Sequence, residues 1–319
     1  MDLFAQQLVN GLSLGALYAL IAVGYTVVYG IVQLINFAHG EVFMVGAFGS
    51  YTTWVLMGSP TDLSPGFAFG VMMPAMMLGG IVTAVGTALL MERFAYRPLR
   101  SAPRLAPLIS AIGLSIALQE AVRLFYGRIP GMPDSRRAIP FPVVEGFTGR
   151  SWQLAGVTVQ YSTAFTLVAL VICTALLWWF VNRTRMGRAM QATSQDADTA
   201  RLMGINVDRA IATAFAVGAA LAAVAGMAHG LRYNNIDFQM GFMAGMKAFT
   251  AAVLGGIGNV NGAVVGGLVL GVVEAMATTY IPGQFGSSAW KDVWAFAILI
   301  LVLVFRPQGL LGAKVVDRA

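Results

Sequence analysis

The sequence predicts an all-α polytopic membrane protein with about eight or nine transmembrane helices. Hydrophobic residues make up 58% of the 319 positions and charged residues only 11%, whereas roughly 25% of a typical soluble domain is charged. Several apolar stretches reach the roughly 20 residues that a helix needs to cross the hydrocarbon core. A soluble fold of this size could not cover so large an apolar content with so few charges.

The composition excludes several other classes of protein. The single cysteine, Cys173, excludes a secreted disulfide scaffold, and the apolar content excludes a disordered chain. The net charge of +6 does not indicate nucleic-acid binding, because no basic patch is interleaved with aromatic residues. In a membrane protein this positive charge is expected mainly in cytoplasmic loops.

Nine apolar stretches account for the predicted spans, and they form a single transmembrane domain over residues 1–319. The stretch 244–258 is short, so it is predicted as either a half-helix or a re-entrant segment, which leaves the number of spans at eight or nine. The stretches are residues 8–32, 41–57, 67–91, 105–125, 161–181, 210–231, 244–258, 260–281 and 293–305.

The distribution of arginine and lysine predicts which loops face the cytoplasm. These residues concentrate in segments 92–104 and 182–209 and in the tail after Phe305, and an even number of spans separates the three segments. Nine spans then place the tail inside and the N-terminus outside. The loop 126–160 disagrees with this assignment, since it falls outside and yet carries four arginines.

The first and eighth stretches share a weak internal sequence similarity. Asn10-Gly11 with Gly15 opens the first, and Asn261-Gly262 with Gly266 opens the eighth. With nine spans, the first and eighth stretches cross the membrane in opposite directions. The similarity is therefore compatible with an inverted repeat. Small residues at this spacing also let helix backbones approach closely, and the sequence favours this packing interpretation.

The glycine-rich stretch 255–262 does not fit a nucleotide-binding loop. The G-x-G-x-x-G frame that starts at Gly256 needs a glycine where Asn261 stands, and no G-K-S/T sequence follows a glycine loop. The stretch is interpreted as a turn between two apolar segments. The chain is therefore not itself a P-loop ATPase.

A short cytoplasmic helix is predicted at residues 195–203, within the basic loop 182–209. Ser194 is a suitable N-cap, and Arg201 falls near the end of the helix, where the helix dipole favours a cation. A helix this short is not stable alone, so it needs a surface to pack on, either its own membrane domain or the groove of a partner protein. The small residues that would face this surface are Ala197, Ala200 and Gly204.

Ionisable side chains within the predicted spans indicate structural pairs or functional positions, because charges are costly in lipid. Glu120 and Arg123 are three residues apart near a helix end, which predicts an ion pair within the helix. Glu274 lies within the eighth stretch, and the sequence identifies no partner for it. Lys247 enters the short stretch.

The segment 35–41 places an asparagine, a histidine and a glutamate around a glycine, between the first two stretches. Zinc binding is not indicated, because the H-E-x-x-H signature is absent. The segment is either a polar turn at the cytoplasmic interface or a break in the membrane helices that lines a cavity, since irregular backbone at depth must face water or protein. The candidates for a substrate path or gate are Asn36, His39, Gly40 and Glu41.

Together these features resemble one family, the integral membrane permeases of bacterial ABC importers for branched-chain amino acids, specifically the LivH type. The resemblance covers nearly the whole chain and is weakest in the loop 126–160. It rests on residues 10–30, the sequence INFAHGE at 35–41, residues 187–206 and 248–258, and the sequence RPQGL at 306–310.

The resemblance implies a permease subunit, not an enzyme, in the bacterial inner membrane. It also implies a second related permease subunit, two cytoplasmic ATPases and a periplasmic substrate-binding protein. ATP and Mg²⁺ would act on the ATPases, and this chain would bind no cofactor or metal. The loop 182–209 would then hold the coupling helix that contacts an ATPase.

The resemblance implies leucine, isoleucine and valine as cargo, with other neutral amino acids as an extension. Related permeases carry urea or short amides with a similar motif, so that alternative stays open. An ion-coupled secondary transporter is a further alternative, but it does not explain the short cytoplasmic helix. An intramembrane enzyme is not indicated, because no paired nucleophile and base is present.

Overall fold

The computed structural model describes residues 2–60, 64–100, 102–103, 105–144, 147–154 and 156–312. Most of these residues are helical, which confirms the all-α class. The helices of six or more residues in the described chain are α1 Asp2–Val32, α2 His39–Leu56, α3 Met73–Met91, α4 Leu105–Phe125, α5 Tyr161–Arg183, α6 Arg185–Gln195, α7 Ala197–Leu202, α8 Val207–Tyr233, α9 Met240–Gly255, α10 Val260–Tyr280 and α11 Lys291–Phe305.

Single helical turns extend or connect these helices. A turn at Pro65–Phe67 and a π-helical turn at Ala68–Met72 lead into α3, and a second π-helical turn follows α3 at Glu92–Tyr96. Turns of 3₁₀-helix are at Arg97–Leu99, Tyr126–Arg128, Gly283–Gly286 and Ser288–Trp290.

Two small antiparallel sheets lie in the loops. Strand β1, Ile139–Pro140, pairs with β4, Asn235–Ile236. Strand β2, Ser151–Leu154, pairs with β3, Val157–Gln160. The first pairing joins the loop after α4 to the loop after α8, so these two loops lie on the same face of the bundle.

The lengths and compositions of the helices confirm a polytopic membrane protein. Six segments are long and apolar enough to cross a membrane, whereas α2, α9 and α11 do not meet that criterion. Each of the nine predicted stretches nevertheless contains a helix in the described chain. The six segments are Leu3–Val32, Ala68–Leu99, Leu105–Arg128, Tyr161–Arg183, Val207–Tyr233 and Val260–Tyr280.

Glycines let α1 pack closely against α10. This is the helix packing that the small residues shared by the first and eighth stretches predict. A methyl group on Gly11 would lie 2.7 Å from the Cα atom of Val272, and one on Gly15 would lie 2.7 Å from the Cα atom of Leu268. Because ordinary side chains cannot approach so closely, the small residues set the distance between the two helices. The helices α1 and α8 are mostly buried within the chain, whereas only a small share of the residues of α4 and α5 is buried.

The helix α2 begins inside the bundle rather than at one of its faces. His39, its first residue, lies next to Gly24 of α1 and Gly218 of α8. Gly24 is eight residues before the end of α1 at Val32, a distance of about 12 Å along the helix axis. Residues 33–38 therefore lead back from the end of α1 into the bundle without forming a helix.

The prediction of one helix over residues 195–203 is wrong. The helix α6 continues to Gln195 and α7 starts at Ala197, so Ser194 lies inside α6 and does not cap a helix. Asp196 is the N-cap instead, and its carboxylate accepts hydrogen bonds from the backbone N–H groups of Asp198 at 2.9 Å and Thr199 at 3.1 Å. Charge-assisted capping by a carboxylate is strong, which explains why the break falls there.

Candidate functional site

The helix break between α1 and α2 brings all four predicted path residues to the interior of the bundle. Asn36, His39, Gly40 and Glu41 are buried. The structure therefore buries the segment among the helices. Their side chains face different elements, however, so each residue has its own surroundings.

Asn36 ties the break to the end of α3. The hydroxyl of Tyr96, in the π-helical turn Glu92–Tyr96, donates a hydrogen bond of 2.5 Å to Oδ1 of Asn36. Both side chains are buried, and the ring of Tyr96 also contacts Phe215 of α8 at a centroid distance of 5.3 Å. If the segment between α1 and α2 moves, Tyr96 has to move with it or its hydrogen bond to Asn36 is lost.

Glu41 is completely buried and uses only one of its two carboxylate oxygens. Oε1 accepts hydrogen bonds from Ser115 at 3.0 Å and from Gln119 at 2.7 Å, both on α4. Oε2 has no hydrogen-bond partner among the described residues. A buried acceptor without a partner is costly, so this oxygen is available to a donor that enters the bundle.

His39 is enclosed by aromatic and glycine residues. Its ring meets the ring of Tyr25 edge-on, at a centroid distance of 4.7 Å. Within the described chain, its Nε2 atom has no hydrogen-bond partner. The glycines at positions 24 and 218 leave the room that the imidazole occupies, because a methyl group at Gly24 would collide with it.

Gly40 provides space for α9 rather than a bend in the backbone. It is not among the glycines with a positive φ angle, so its backbone conformation does not by itself require a glycine. A methyl group on Gly40 would lie 2.8 Å from the Cα atom of Gly245 and would collide with the carbonyl of Gly241. The starts of α2 and α9 therefore meet backbone to backbone inside the bundle.

Glu274 has its partner in Lys247. The Lys247 ammonium donates a hydrogen bond of 2.9 Å to Oε1 of Glu274 and one of 3.2 Å to the hydroxyl of Tyr18, which in turn donates to Oε2 of Glu274 at 3.0 Å. Oδ1 of Asp292 lies 2.6 Å from the same ammonium. Four helices, α1, α9, α10 and α11, thus contribute one side chain each to a buried charged cluster.

A cavity of about 420 Å³ lies beside this cluster, between α1, α8 and α9. Tyr18 and Lys247 line its buried end, while Asn235 and Gln239 line its exposed end near strand β4. The cavity therefore opens toward the face of the bundle that carries the β1–β4 sheet. A buried polar end and an open mouth are the features of a binding vestibule.

Glu120 and Arg123 form the predicted ion pair. The guanidinium lies 3.0 Å from the carboxylate, and both side chains are nearly half exposed. An exposed pair of this kind contributes little to stability. Its position on the outside of α4, away from the charged cluster, supports the structural role that the spacing predicts.

The small-residue face of the cytoplasmic helix packs on its own membrane domain. Ala200 is buried, and Ala197 is partly buried against the same core, so these alanines are not free for a partner. Gly204, predicted on the same face, is exposed and follows the end of α7 with a φ angle of +82°, and Arg201 pairs with Asp198 at 2.8 Å. The apolar side chains that α7 leaves exposed are Leu202, 88% exposed, and Met203, 78% exposed.

Arginines fix the end of α3 to the start of α8 on the opposite face from the β1–β4 sheet. Arg100 lies 2.6 Å from the carboxylate of Asp208 and also pairs with Glu92, and Arg97 pairs with Asp208. Near this network lies a second cavity of about 520 Å³, lined in part by Gln33 and Arg100. The predicted cytoplasmic loops 92–104 and 182–209 therefore meet at one face.

Sequence patterns pointed to some of these residues and missed others. Ser115 and Gln119 stand four residues apart on an otherwise apolar helix, and this spacing is a signal for a polar face toward the bundle. Tyr18 had no such signal, because the residues three and four positions away from it are apolar or glycine, and Asp292 lies in the first turn of a helix that is apolar after it. Their pairing with Lys247 depends on contacts between distant segments.

Six segments long and apolar enough to cross a membrane, a polar break inside the bundle and a cavity open to one face fit a membrane transport protein. The chain matches, over residues 7–303, the family described as the branched-chain amino acid transport system permease component. The chain belongs to this family. It is the permease component of an ABC transport system and not an enzyme.

Relatives of similar length carry the same description. The chain is 45% identical to the high-affinity branched-chain amino acid transport system permease protein BraD of Pseudomonas aeruginosa, over 99% of this chain and 98% of that protein. It is 44% identical to the corresponding permease protein LivH of Salmonella typhimurium, over 99% and 97%. A probable LivH protein of Methanocaldococcus jannaschii is 26% identical over 93% and 89%.

Proposed function

We propose that this chain carries leucine, isoleucine and valine inward across the bacterial inner membrane, as one permease subunit of an ABC importer. The observation that carries the proposal is its identity of 44–45%, over nearly the full length, to permeases named for branched-chain amino acids. The assembly contains a second related permease, two cytoplasmic ATPases that hold ATP and Mg²⁺, and a periplasmic binding protein. The whole chain, residues 1–319, is one permease domain in lipid.

Contacts at the two ends of the helix bundle support a chain that crosses the membrane nine times. Gln6 exchanges two hydrogen bonds with the backbone of Thr158 in β3, so the start of α1 lies beside the loop 126–160, which we assign to the outside. Leu310 donates a backbone hydrogen bond of 2.8 Å to Leu254, which puts the tail beside the end of α9. Nine membrane crossings, with α9 starting inside the bundle, are consistent with both of these contacts. They also leave the arginine-rich loops in the cytoplasm.

The helix break acts as the gate of the transport path. Asn36, His39, Gly40 and Glu41 lie where α2 and α9 both begin inside the bundle, and irregular backbone at that depth needs water or protein around it. The unpaired oxygen of Glu41 offers an acceptor to the ammonium group of a passing amino acid. The interaction has to be weak enough for release, and a single unpaired oxygen meets that condition.

The coupling to ATP runs through α6 and α7. Ala197 and Ala200 seat α7 on the membrane domain, Arg201 and Gly204 complete its end, and Leu202 and Met203 point away from the chain. Exposed apolar side chains at a cytoplasmic surface favour contact with another protein. The ATPase therefore binds the Leu202 and Met203 surface, while the alanines transmit its movement to the bundle.

Uptake by intact cells tests the cargo. Cells with and without this chain are given radiolabelled leucine, with unlabelled isoleucine, valine, urea or acetamide as competitors. The proposal predicts uptake that needs the chain and that isoleucine and valine suppress. Suppression by urea or acetamide alone would favour the amide alternative, and uptake that survives ATP depletion but follows an ion gradient would favour an ion-coupled transporter.

A further inference from the structure

A third cavity, of about 360 Å³, lies where the end of α3 meets the start of α8. Three arginines line it, namely Arg93, Arg97 and Arg209. Its volume falls in the range of about 300–1,000 Å³ typical of small-molecule sites. Neither the gate nor the coupling surface proposed above uses these arginines, so the cavity is a separate candidate site.

Two of the three arginines have no partner in the part of the chain that the structure describes. The ion pairs at this face use Arg97 and Arg100, whereas Arg93 and Arg209 take part in none of them. Both side chains are exposed. A guanidinium carries five N–H donors in a planar fork, so these two side chains leave their donors available to an anion.

The charges around the cavity also favour an anion. Glu92 and Asp208 line it, but both carboxylates pair with Arg100, and Asp208 pairs with Arg97 as well. The three lining arginines, Arg100 and the two carboxylates together carry a formal charge of +2 when all of them are ionised. Because the carboxylates are already neutralised, this surplus positive charge belongs to the two unpaired arginines.

The rest of the lining includes apolar side chains at the depth of the membrane. Leu89 and Ala212 each belong to a segment that is long and apolar enough to cross a membrane. Leu89 precedes Arg97 by eight residues, about 12 Å along the helix axis, so the cavity reaches from the end of the span toward the hydrocarbon. Phe94, next to Arg93, is 71% exposed, as a side chain that faces lipid would be.

We propose that this cavity binds the phosphate group of an anionic phospholipid. The phosphate oxygens accept charge-assisted hydrogen bonds from Arg93 and Arg209, and an acyl chain passes over Leu89 into the bilayer. Basic pockets between membrane helices on the cytoplasmic side bind anionic headgroups in this way. A free anion or a partner protein in the cytoplasm would meet the arginines but not Leu89, so a lipid fits more of the lining.

Native mass spectrometry of the transporter complex, purified through a tag on this chain, tests the inference. The complex is titrated with dioleoylphosphatidylglycerol, with dioleoylphosphatidylcholine, which has the same acyl chains and no net charge, and with inorganic phosphate. We expect one tightly bound phosphatidylglycerol for each copy of this chain, and at least fivefold weaker binding of the other two. Equal binding of both lipids, or equally tight binding of inorganic phosphate, would overturn the inference.

Substitution of the two unpaired arginines locates the lipid. An arginine near the membrane surface contributes about a factor of five to the binding of an anionic lipid. Arg93→Gln and Arg209→Gln should therefore each weaken the tight site about fivefold, and the double variant roughly 25-fold if the effects add. Arg183→Gln, the matched control, removes an exposed arginine at the end of α5 and should leave the binding unchanged.

Three outcomes of the substitutions would overturn the inference. They are unchanged lipid binding by the double variant, an equal loss in Arg183→Gln, and a double variant that releases the ATPase while it keeps the lipid, which would assign the arginines to the partner protein. If the double variant does not assemble, the two single variants decide. The inference does not depend on the cargo, so a failure of leucine uptake by the unaltered transporter would remove the proposed function and leave this site.

Discussion

Gly40 leaves the room in which the starts of α2 and α9 meet. Gly40→Ala should destabilise the permease by about 1–3 kcal/mol, the usual range for overpacking a tight contact, because the new methyl group would collide with the backbone of α9 at Gly241. The measurement is the thermal unfolding of the purified permease.

Gly30→Ala is the matched control for that change. Gly30 lies in α1, and a methyl group there would meet nothing within 4 Å. Alanine is favoured over glycine inside a helix by roughly 0.5–1 kcal/mol, so this variant should be as stable as the unaltered permease or more so. Equal destabilisation by both substitutions would show that α9 does not approach through Gly40.

Glu41 is the residue on which the chemistry of the proposed gate depends. Glu41→Gln keeps the shape of the side chain and removes its charge, so it should lower leucine uptake about tenfold by removing one charge-assisted contact. The amount of permease in the membrane is measured alongside. Full uptake by both Glu41→Gln and His39→Ala would contradict the gate and leave a structural break in the helices.

The sequence was informative about individual polar residues and less so about their partners. Asparagine, histidine and glutamate around Gly40 stand out in an apolar chain, and this composition predicts a break. The partners of the break, such as Tyr96 and Ser115, are more than 50 residues away in sequence. Contacts at that separation depend on how the helices pack, and no local spacing encodes them.

At the level of elements, α6 and α7 show how two residues that are both suitable N-caps can compete. Ser194 and Asp196 are both suitable N-caps, and the sequence alone does not rank them. Asp196 accepts hydrogen bonds from the hydroxyl of Thr199 and from two backbone N–H groups, which lowers the pKa of its carboxyl. Two helices therefore form where one was predicted, and the exposed end of the second differs from the predicted face.

The exposed end of α7 gives a testable prediction about coupling. Leu202→Ser and Met203→Ser remove apolar contact area that is exposed in this chain. Each should lower co-purification of the ATPase and leucine-stimulated ATP hydrolysis several-fold, because an apolar contact at an interface is lost. Thermal unfolding of the permease should hardly change, since exposed positions contribute little to stability.

Ala200→Trp is the comparison for that surface. Ala200 is buried within this chain, so a tryptophan there should lower the stability of the permease itself as well as coupling. Retained co-purification and ATP hydrolysis in both serine variants would contradict the proposed docking surface and leave α7 as a purely structural helix.

For the whole molecule, contacts between distant segments support the assignment of each loop to the outer or the cytoplasmic side of the membrane. The loop 126–160 disagrees with the rule that arginine-rich loops are cytoplasmic. It carries four arginines, although the number of spans before it places it outside. Its pairing with β4 and with the start of α1 supports the outer face in spite of that charge. Nine crossings predict opposite accessibility for Thr158 and Asp198, both of which are exposed.

Thiol labelling of spheroplasts checks this arrangement. Thr158→Cys and Asp198→Cys are made separately in a Cys173→Ala background, which removes the only native cysteine. A membrane-impermeant maleimide should label position 158 in intact spheroplasts and position 198 only after permeabilisation. Labelling of both positions from the outside, or the reverse pattern, would contradict nine crossings.

For the complete transporter, the proposed function is conduction of branched-chain amino acids by this chain under the control of ATP. The most direct measurement is leucine uptake into proteoliposomes that hold the complete complex, with ATP at the ATPase side and the loaded binding protein at the other. We expect uptake that requires ATP, the binding protein and this chain, and that isoleucine and valine inhibit. Equal uptake without ATP, or without this chain, would contradict the claim.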